Sequence, residues 1–77
     1  MGTRLPRVTS PELVRALKRA GWRELRQTGS HLHLNHPDKP GQIITVAVHP
    51  GRLVPLGTLK AILDRAGLNG DELQKLL

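Results

Sequence analysis

Apolar residues follow a helical pattern in the first third of the chain. They form one stripe at positions i, i+4 and i+7: Leu13, Leu17 and Ala20. Thr9 and Glu12 have the spacing of a capping box just before this stripe, and Ser10 is an alternative N-cap. Gly21 follows the stripe, where helices often end in a left-handed residue. The pattern therefore predicts a first helix over residues 10–20.

A second helical stripe lies in the last third of the chain: Leu59, Ile62, Leu63 and Ala66. Thr58 is the predicted N-cap of this helix, and Gly67 is predicted to end it much as Gly21 ends the first. Asn69 and Glu72 are predicted to begin a short last helix. Its apolar side is predicted to contain three leucines: Leu73, Leu76 and Leu77.

Between these helices the apolar residues follow patterns that are typical of β-strands. The predicted strands span residues 22–27, 31–36 and 43–48, with a turn at residues 28–30. In the second strand the two leucines share one face, and the other face carries three polar residues: His31, His33 and Asn35.

The connections between the three strands are short, so the strands are predicted to pair antiparallel. The two flanking helices can then cover one face of the sheet and leave the other open. The sequence thus predicts an α+β fold in the order α-β-β-β-α, with a three-stranded antiparallel sheet, helices packed on one face and a short C-terminal helix. We expect a flexible N-terminal arm over residues 1–9 and one domain over residues 10–77.

Size and composition limit the classes of function. A chain of 77 residues has no room for a deep cofactor cavity, so no small-molecule cofactor is expected. No run approaches the roughly 18 apolar residues of a membrane span, so no membrane association is expected. The chain has no cysteine, which fits a reducing cytoplasm and excludes a thiolate metal site. These features favour a cytoplasmic protein with a shallow surface site.

The charge balance points to a polyanionic partner. Twelve Lys and Arg against six Asp and Glu give a formal net charge of +6, which attracts phosphate backbones. The alternative is that these cations only keep a small surface solvated. Trp22 is the only Phe, Tyr or Trp in the chain, so recognition by aromatic base stacking is excluded. Recognition of RNA by shape and charge remains.

Three of the four histidines lie within residues 31–36, the stretch best suited to chemistry. His31 follows a Gly29-Ser30 turn, where it can be exposed and where backbone N–H groups can approach a phosphate, as a general acid or base on RNA requires. His33 shares its face and is a candidate to bind phosphate or base. Arg26 is expected near His31 across the turn, where its cation would stabilise the charge of a phosphorane.

Two other interpretations of the histidines carry less weight. The spacing His31-x-His33-x-x-His36 is superficially similar to the ligand run of metallo-β-lactamase-like hydrolases, but Asn35 stands where those enzymes have aspartate. No metal site is therefore predicted. His36 and His49 each precede a proline at a strand end, and we expect them to make turn contacts.

Several segments in this order resemble the HicA toxin family: Gly21-Trp22, Arg26-Gln27-Thr28-Gly29-Ser30-His31, His36-Pro37, a valine-rich strand before His49, Leu56 to Leu63, and Ala66-Gly67-Leu68. The resemblance implies a fold like that of double-stranded-RNA-binding domains and a toxin that cleaves mRNA. The family's catalytic histidine, in its Gly-Ser-His motif, corresponds to His31, with Gly29 and Ser30 as its turn. The resemblance also implies a cognate HicB-type antitoxin that covers the active site. Many relatives have a second histidine where this chain has Leu32.

Two hypotheses of function follow. The first is a metal-independent endoribonuclease toxin, in which His31 acts as general acid or base and growth is inhibited through loss of mRNA. The second is a non-catalytic RNA-binding module that inhibits translation with the same basic surface. They differ in the effect of replacing His31, which abolishes inhibition only under the first hypothesis.

Overall fold

The computed structural model describes residues 5–77. Within this range the elements are α1 (Ser10–Arg19), β1 (Arg23–Thr28), β2 (His31–Asn35), β3 (Ile43–Ala47), α2 (Leu56–Ala66) and α3 (Gly70–Leu76). The described strands form one antiparallel sheet in the order β1-β2-β3. The predicted α+β class and the predicted order of the elements are confirmed.

The register of the sheet decides which side chains share a face. Directly opposed residues of antiparallel strands point to the same side of a sheet. Three cross-strand rows therefore form one surface, which we call the open face: Thr28–His31–Ala47, Arg26–His33–Thr45 and Arg23–Asn35–Ile43. The pairing of β1 with β2 shifts by one residue between Glu24 and Arg26, which leaves Leu25 as the extra residue of a bulge.

The helices cover the other face of the sheet. β2 and β3 contribute four buried side chains to the core on that face: Leu32, Leu34, Ile44 and Val46. Both α1 and α2 contact β3, and α3 packs against α1 with Leu73 fully buried. Leu77 remains 42% exposed because α3 ends at Leu76, so its predicted place on the apolar side of the last helix is wrong. All residues of β1 are exposed.

The ends of α1 are built as the sequence predicts. The Thr9 hydroxyl accepts a hydrogen bond from the Glu12 backbone N–H, and the Glu12 carboxylate accepts one from the Thr9 N–H at 2.8 Å. At the other end, the N–H groups of Gly21 and Trp22 donate to the carbonyls of Lys18 and Leu17, both at 3.0 Å. This pair of bonds is a Schellman motif, and it turns the chain from α1 into β1.

The predicted start of α2 is wrong. Thr58 lies inside the helix, which begins at Leu56 after an N-cap at Pro55 that makes no side-chain capping bond. The proline ring holds φ near the helical value, and the Pro55 carbonyl already accepts from the Leu59 N–H at 2.8 Å. The helix therefore begins earlier than the first residue with a capping side chain.

The packed part of the chain begins before residue 10. Val8 is only 1% exposed, and its carbonyl accepts from the Val54 N–H at 2.7 Å. Thr9 forms an antiparallel bridge with Leu53. The last residues of the expected arm are thus tied to the segment before α2, and residues 1–4 lie outside the described range.

Candidate active site on the open sheet face

A two-residue loop, Gly29-Ser30, fixes the start of β2. Gly29 has φ 59° and Ser30 has no positive φ, which is typical of a type II′ hairpin turn. The Gln27 side chain donates to the Gly29 carbonyl at 3.0 Å, and the Val48 N–H donates to the Ser30 carbonyl at 2.7 Å. The loop is therefore anchored both to β1 and to the chain leaving β3.

His31 is the exposed residue that follows this loop. Its row neighbours on the open face, Thr28 and Ala47, have small side chains that leave space around the imidazole. Within residues 5–77, no hydrogen bond involves its ring. Both ring nitrogens are therefore available to a ligand, as a group that transfers protons requires.

His33 lies in the next row of the open face and is half-buried. Its Nδ1 is 2.9 Å from the Thr45 hydroxyl, which fixes the orientation of the ring. The two-residue rise of a strand places His33 roughly 6 to 7 Å from His31, close enough for both side chains to contact one nucleotide. Among the described residues nothing hydrogen-bonds its Nε2, which can therefore contact that nucleotide.

Arg26 lies directly opposite His33. The register places it one row away from His31, a diagonal separation of roughly 7 to 8 Å between backbones that a long arginine side chain spans. Arg26 is thus a diagonal neighbour of His31 in the register, while the direct partner of His31 on β1 is Thr28.

The open face has a cationic character. Arg23 and Arg26 both contribute to its rows, and these rows contain no Asp or Glu. Glu24 pairs with Leu34 on the helix-covered side and forms a salt bridge with Lys18 of α1. The single carboxylate of β1 thus lies on the face opposite to the histidines. The open face is therefore a cationic surface that attracts phosphate.

Of the remaining histidines, His36 makes the turn contact predicted for it, and His49 contacts the start of α1 through its backbone. His36 accepts from the Asp38 N–H at 3.1 Å and bonds the Ala20 carbonyl at 3.0 Å. His49 donates its backbone N–H to the Ser10 hydroxyl at 2.8 Å. Among the described residues, no group of three His, Asp or Glu side chains has the geometry to hold a metal ion.

Thr45 is a site residue that the sequence analysis does not identify. It holds His33 through the hydrogen bond described above, although it lies twelve residues later in the chain. The signal that would find it is the alternation within β3, which places Thr45 on the face opposite to the buried Ile44 and Val46.

Comparison with known proteins gives the family of the chain. The model of a family described as HicA toxin of bacterial toxin-antitoxin matches residues 10–68, and this range includes the whole open face. The chain belongs to the HicA toxin family. It is therefore a toxin of a toxin–antitoxin system, and an antitoxin is its partner. No curated protein matches the chain.

The HicA match places the Gly29-Ser30 loop, His31, His33 and Arg26 inside the toxin domain. Val8 and Thr9 precede the matched range, although they pack on the domain. None of the helices between residues 5 and 77 has the length and apolar character needed to cross a membrane.

Proposed function

We propose that this HicA-family toxin is a metal-independent endoribonuclease that cleaves mRNA in the cytoplasm, with His31 as its general acid or base. The observation that carries the proposal is the accessible imidazole of His31 on an open face without carboxylates. An imidazole titrates near neutral pH, so it accepts or donates a proton under the conditions of the cell.

The chemistry needs only proton transfer and stabilisation of charge. A base removes the proton of a ribose 2′-hydroxyl, whose oxygen attacks the adjacent phosphorus. The bond from phosphorus to the 5′-oxygen breaks, and an acid protonates that oxygen. The products are a 2′,3′-cyclic phosphate and a 5′-hydroxyl. His31 performs one of these two transfers.

The neighbours of His31 have supporting roles in this proposal. The cation of Arg26 stabilises the negative charge of the phosphorane. His33, oriented by Thr45, binds phosphate or base through its free ring nitrogen. Gly29 and Ser30 let the backbone of the turn approach the phosphate. A HicB-type antitoxin is the proposed partner, and it would inhibit the toxin by covering this face.

The decisive experiment incubates purified wild-type protein and His31→Ala with a long mRNA in EDTA. Cleavage by the wild type should leave cyclic phosphate and 5′-hydroxyl ends. The rate of His31→Ala should be lower by about 100-fold or more, the usual contribution of general acid–base catalysis, while its affinity for RNA stays nearly unchanged. Gln74→Ala, at an exposed position of α3, is the matched control and should cleave like the wild type.

One result would replace this proposal with the non-catalytic alternative. If the wild type does not cleave RNA, yet growth inhibition survives His31→Ala and is lost in Arg26→Ala, the protein acts by binding RNA. The cationic rows of the open face would then be the functional surface.

A further inference from the structure

A cavity of about 370 Å³ lies beside the open face, between the end of β3, the turn that follows it and the start of α2. Most of its wall is apolar: Val46, Leu53, Val54, Pro55 and Ile62. Arg52, His49 and Thr58 add polar groups, and none of the residues between 5 and 77 that line the cavity has a carboxylate. Its volume is within the range of small-ligand sites, roughly 300 to 1,000 Å³.

The polar side of the cavity is held in place by a tight turn. The Arg52 N–H donates to the His49 carbonyl at 3.1 Å, with Pro50 and Gly51 between them. Gly51 has φ 84°, as the third residue of a type II turn requires. The turn therefore presents His49 and Arg52 close together.

The segment from His49 to Val54 is hydrogen-bonded at both ends to the N-terminal part of the domain. The Ser10 hydroxyl accepts from the His49 N–H at 2.8 Å, and the Val8 carbonyl accepts from the Val54 N–H at 2.7 Å. These bonds fix the wall of the cavity before any ligand arrives, which lowers the entropic cost of binding.

The cavity adjoins His31. Ala47 belongs to its lining and is the residue of β3 directly opposite His31. Neighbouring strands lie about 5 Å apart, so the cavity begins within reach of a nucleotide whose phosphate contacts His31. The bond from Val48 to Ser30 joins the cavity's turn to the loop before His31.

The chemistry of the lining selects a particular kind of ligand. Apolar walls with a few polar groups accept a flat ring with hydrogen-bonding edges, and Arg52 without a neighbouring carboxylate favours an attached phosphate. Trp22, the chain's only Phe, Tyr or Trp, is 2% exposed and cannot stack on a base. Leu53, which is 49% exposed, and Arg52 supply surfaces on which a base can stack.

We infer that this cavity is a nucleobase subsite that binds an unpaired base next to the phosphate at His31 and so selects the cleavage position. The inference rests on the proposed ribonuclease function, and it names the part of the protein that recognises sequence. Arg52 binds the phosphate of the inserted nucleotide, and Thr58 contacts the edge of the base.

The test uses methyl-detected NMR with the four nucleoside 3′-monophosphates, and with inorganic phosphate as the reference probe. At least one nucleotide should shift the methyl signals of Val46, Val54 and Ile62 in a saturable manner, and phosphate alone should not. Thr58→Phe fills the cavity from an exposed helix position and should weaken that binding roughly tenfold or more, as should Arg52→Ala. Gln74→Phe and Lys75→Ala, both on α3, are matched controls.

A second measurement maps cleavage sites on one mRNA for the wild type and Thr58→Phe. A changed distribution of cleavage sites in Thr58→Phe supports the subsite, and an unchanged distribution overturns its role in selecting the cleavage position. Methyl signals that no nucleotide shifts, or equal affinity in wild type and Thr58→Phe, overturn it, whether or not RNA is cleaved. If nucleotides shift the methyl signals but RNA is not cleaved, the result contradicts the proposed ribonuclease and not the cavity's binding of a base, because that binding does not depend on turnover.

Discussion

The imidazole of His36 is fixed on three sides. Its Nδ1 accepts from the Asp38 N–H, so its Nε2 carries the proton and donates to the Ala20 carbonyl at 3.0 Å. The ring meets Trp22 edge to face, with 5.3 Å between centroids. These contacts connect the end of α1 to the end of β2 and give His36 a structural role.

Gly21 provides a direct test of this connection. It has φ 101°, and a Cβ there would lie 2.5 Å from His36 Nε2. Gly41 also has a positive φ, 82°, but nothing lies within 4 Å of its Cβ position. Gly41→Ala should therefore cost about 1–2 kcal/mol of unfolding free energy from backbone strain alone. Gly21→Ala should cost at least about 1 kcal/mol more in urea unfolding, because it also displaces His36.

Equal losses in the two alanine variants would show that His36 moves aside at no cost. As a further control, Gly21→Ala measured in a His36→Ala background should lose the extra destabilisation, since the two residues act through one contact.

At the scale of residues, local patterns predicted part of the candidate site. His31, His33 and the Gly29-Ser30 turn follow from alternation and turn chemistry within one short stretch. The bond of His33 to Thr45 and the bond of His36 to Ala20 depend on strand register and on where α1 ends. Contacts between distant positions of the chain leave no local signal.

The capping box at the first turn of α1 contains a titrating group, the carboxyl of Glu12. The backbone N–H and the hydroxyl of Thr9 donate hydrogen bonds to Glu12, and these bonds hold the pKa of the Glu12 carboxyl below its ordinary value, with Arg15 as a smaller cause. The capping box is therefore strongest when Glu12 is ionised.

The consequence is a dependence of stability on pH. Because the pKa is lower in the folded state, the contribution of ionised Glu12 is complete above the ordinary value of 4.5 and is lost as pH falls through the folded-state value. In thermal unfolding, wild type should be more stable than Glu12→Gln near neutral pH, and this advantage should shrink on acidification to about pH 3. An advantage of constant size across that interval would contradict the proposed cause.

Some helix boundaries can be predicted from a few neighbouring residues, and others cannot. The capping boxes at Thr9 and Asn69 were predictable, because each is complete within four residues. The start of α2 was not, because the conformation of Pro55 takes the place of a capping side chain. The cavity beside His31 was also beyond prediction, since β3, a turn and α2 each supply part of its wall.

At the scale of the molecule, the net charge of +6 on 77 residues should make the proposed RNA binding sensitive to salt. Each phosphate contacted on a single strand predicts a fall in affinity of roughly threefold between about 50 and 200 mM salt. Arg26→Ala should lower the slope of log affinity against log salt by about 0.7, whereas Lys75→Ala should leave it unchanged. Fluorescence anisotropy of a labelled RNA measures both slopes. An affinity independent of salt would contradict recognition through phosphates.

The position of Trp22 makes its intrinsic fluorescence a probe of folding. The single indole is buried, and it precedes the row of Arg23, at the opposite end of β2 from His31. The length of β2 separates the two ends by roughly 13 Å. Its emission will therefore respond when the chain unfolds and will stay constant when a nucleotide binds at His31. Loss of folding and loss of activity in any variant can be separated by intrinsic fluorescence, with no dye attached.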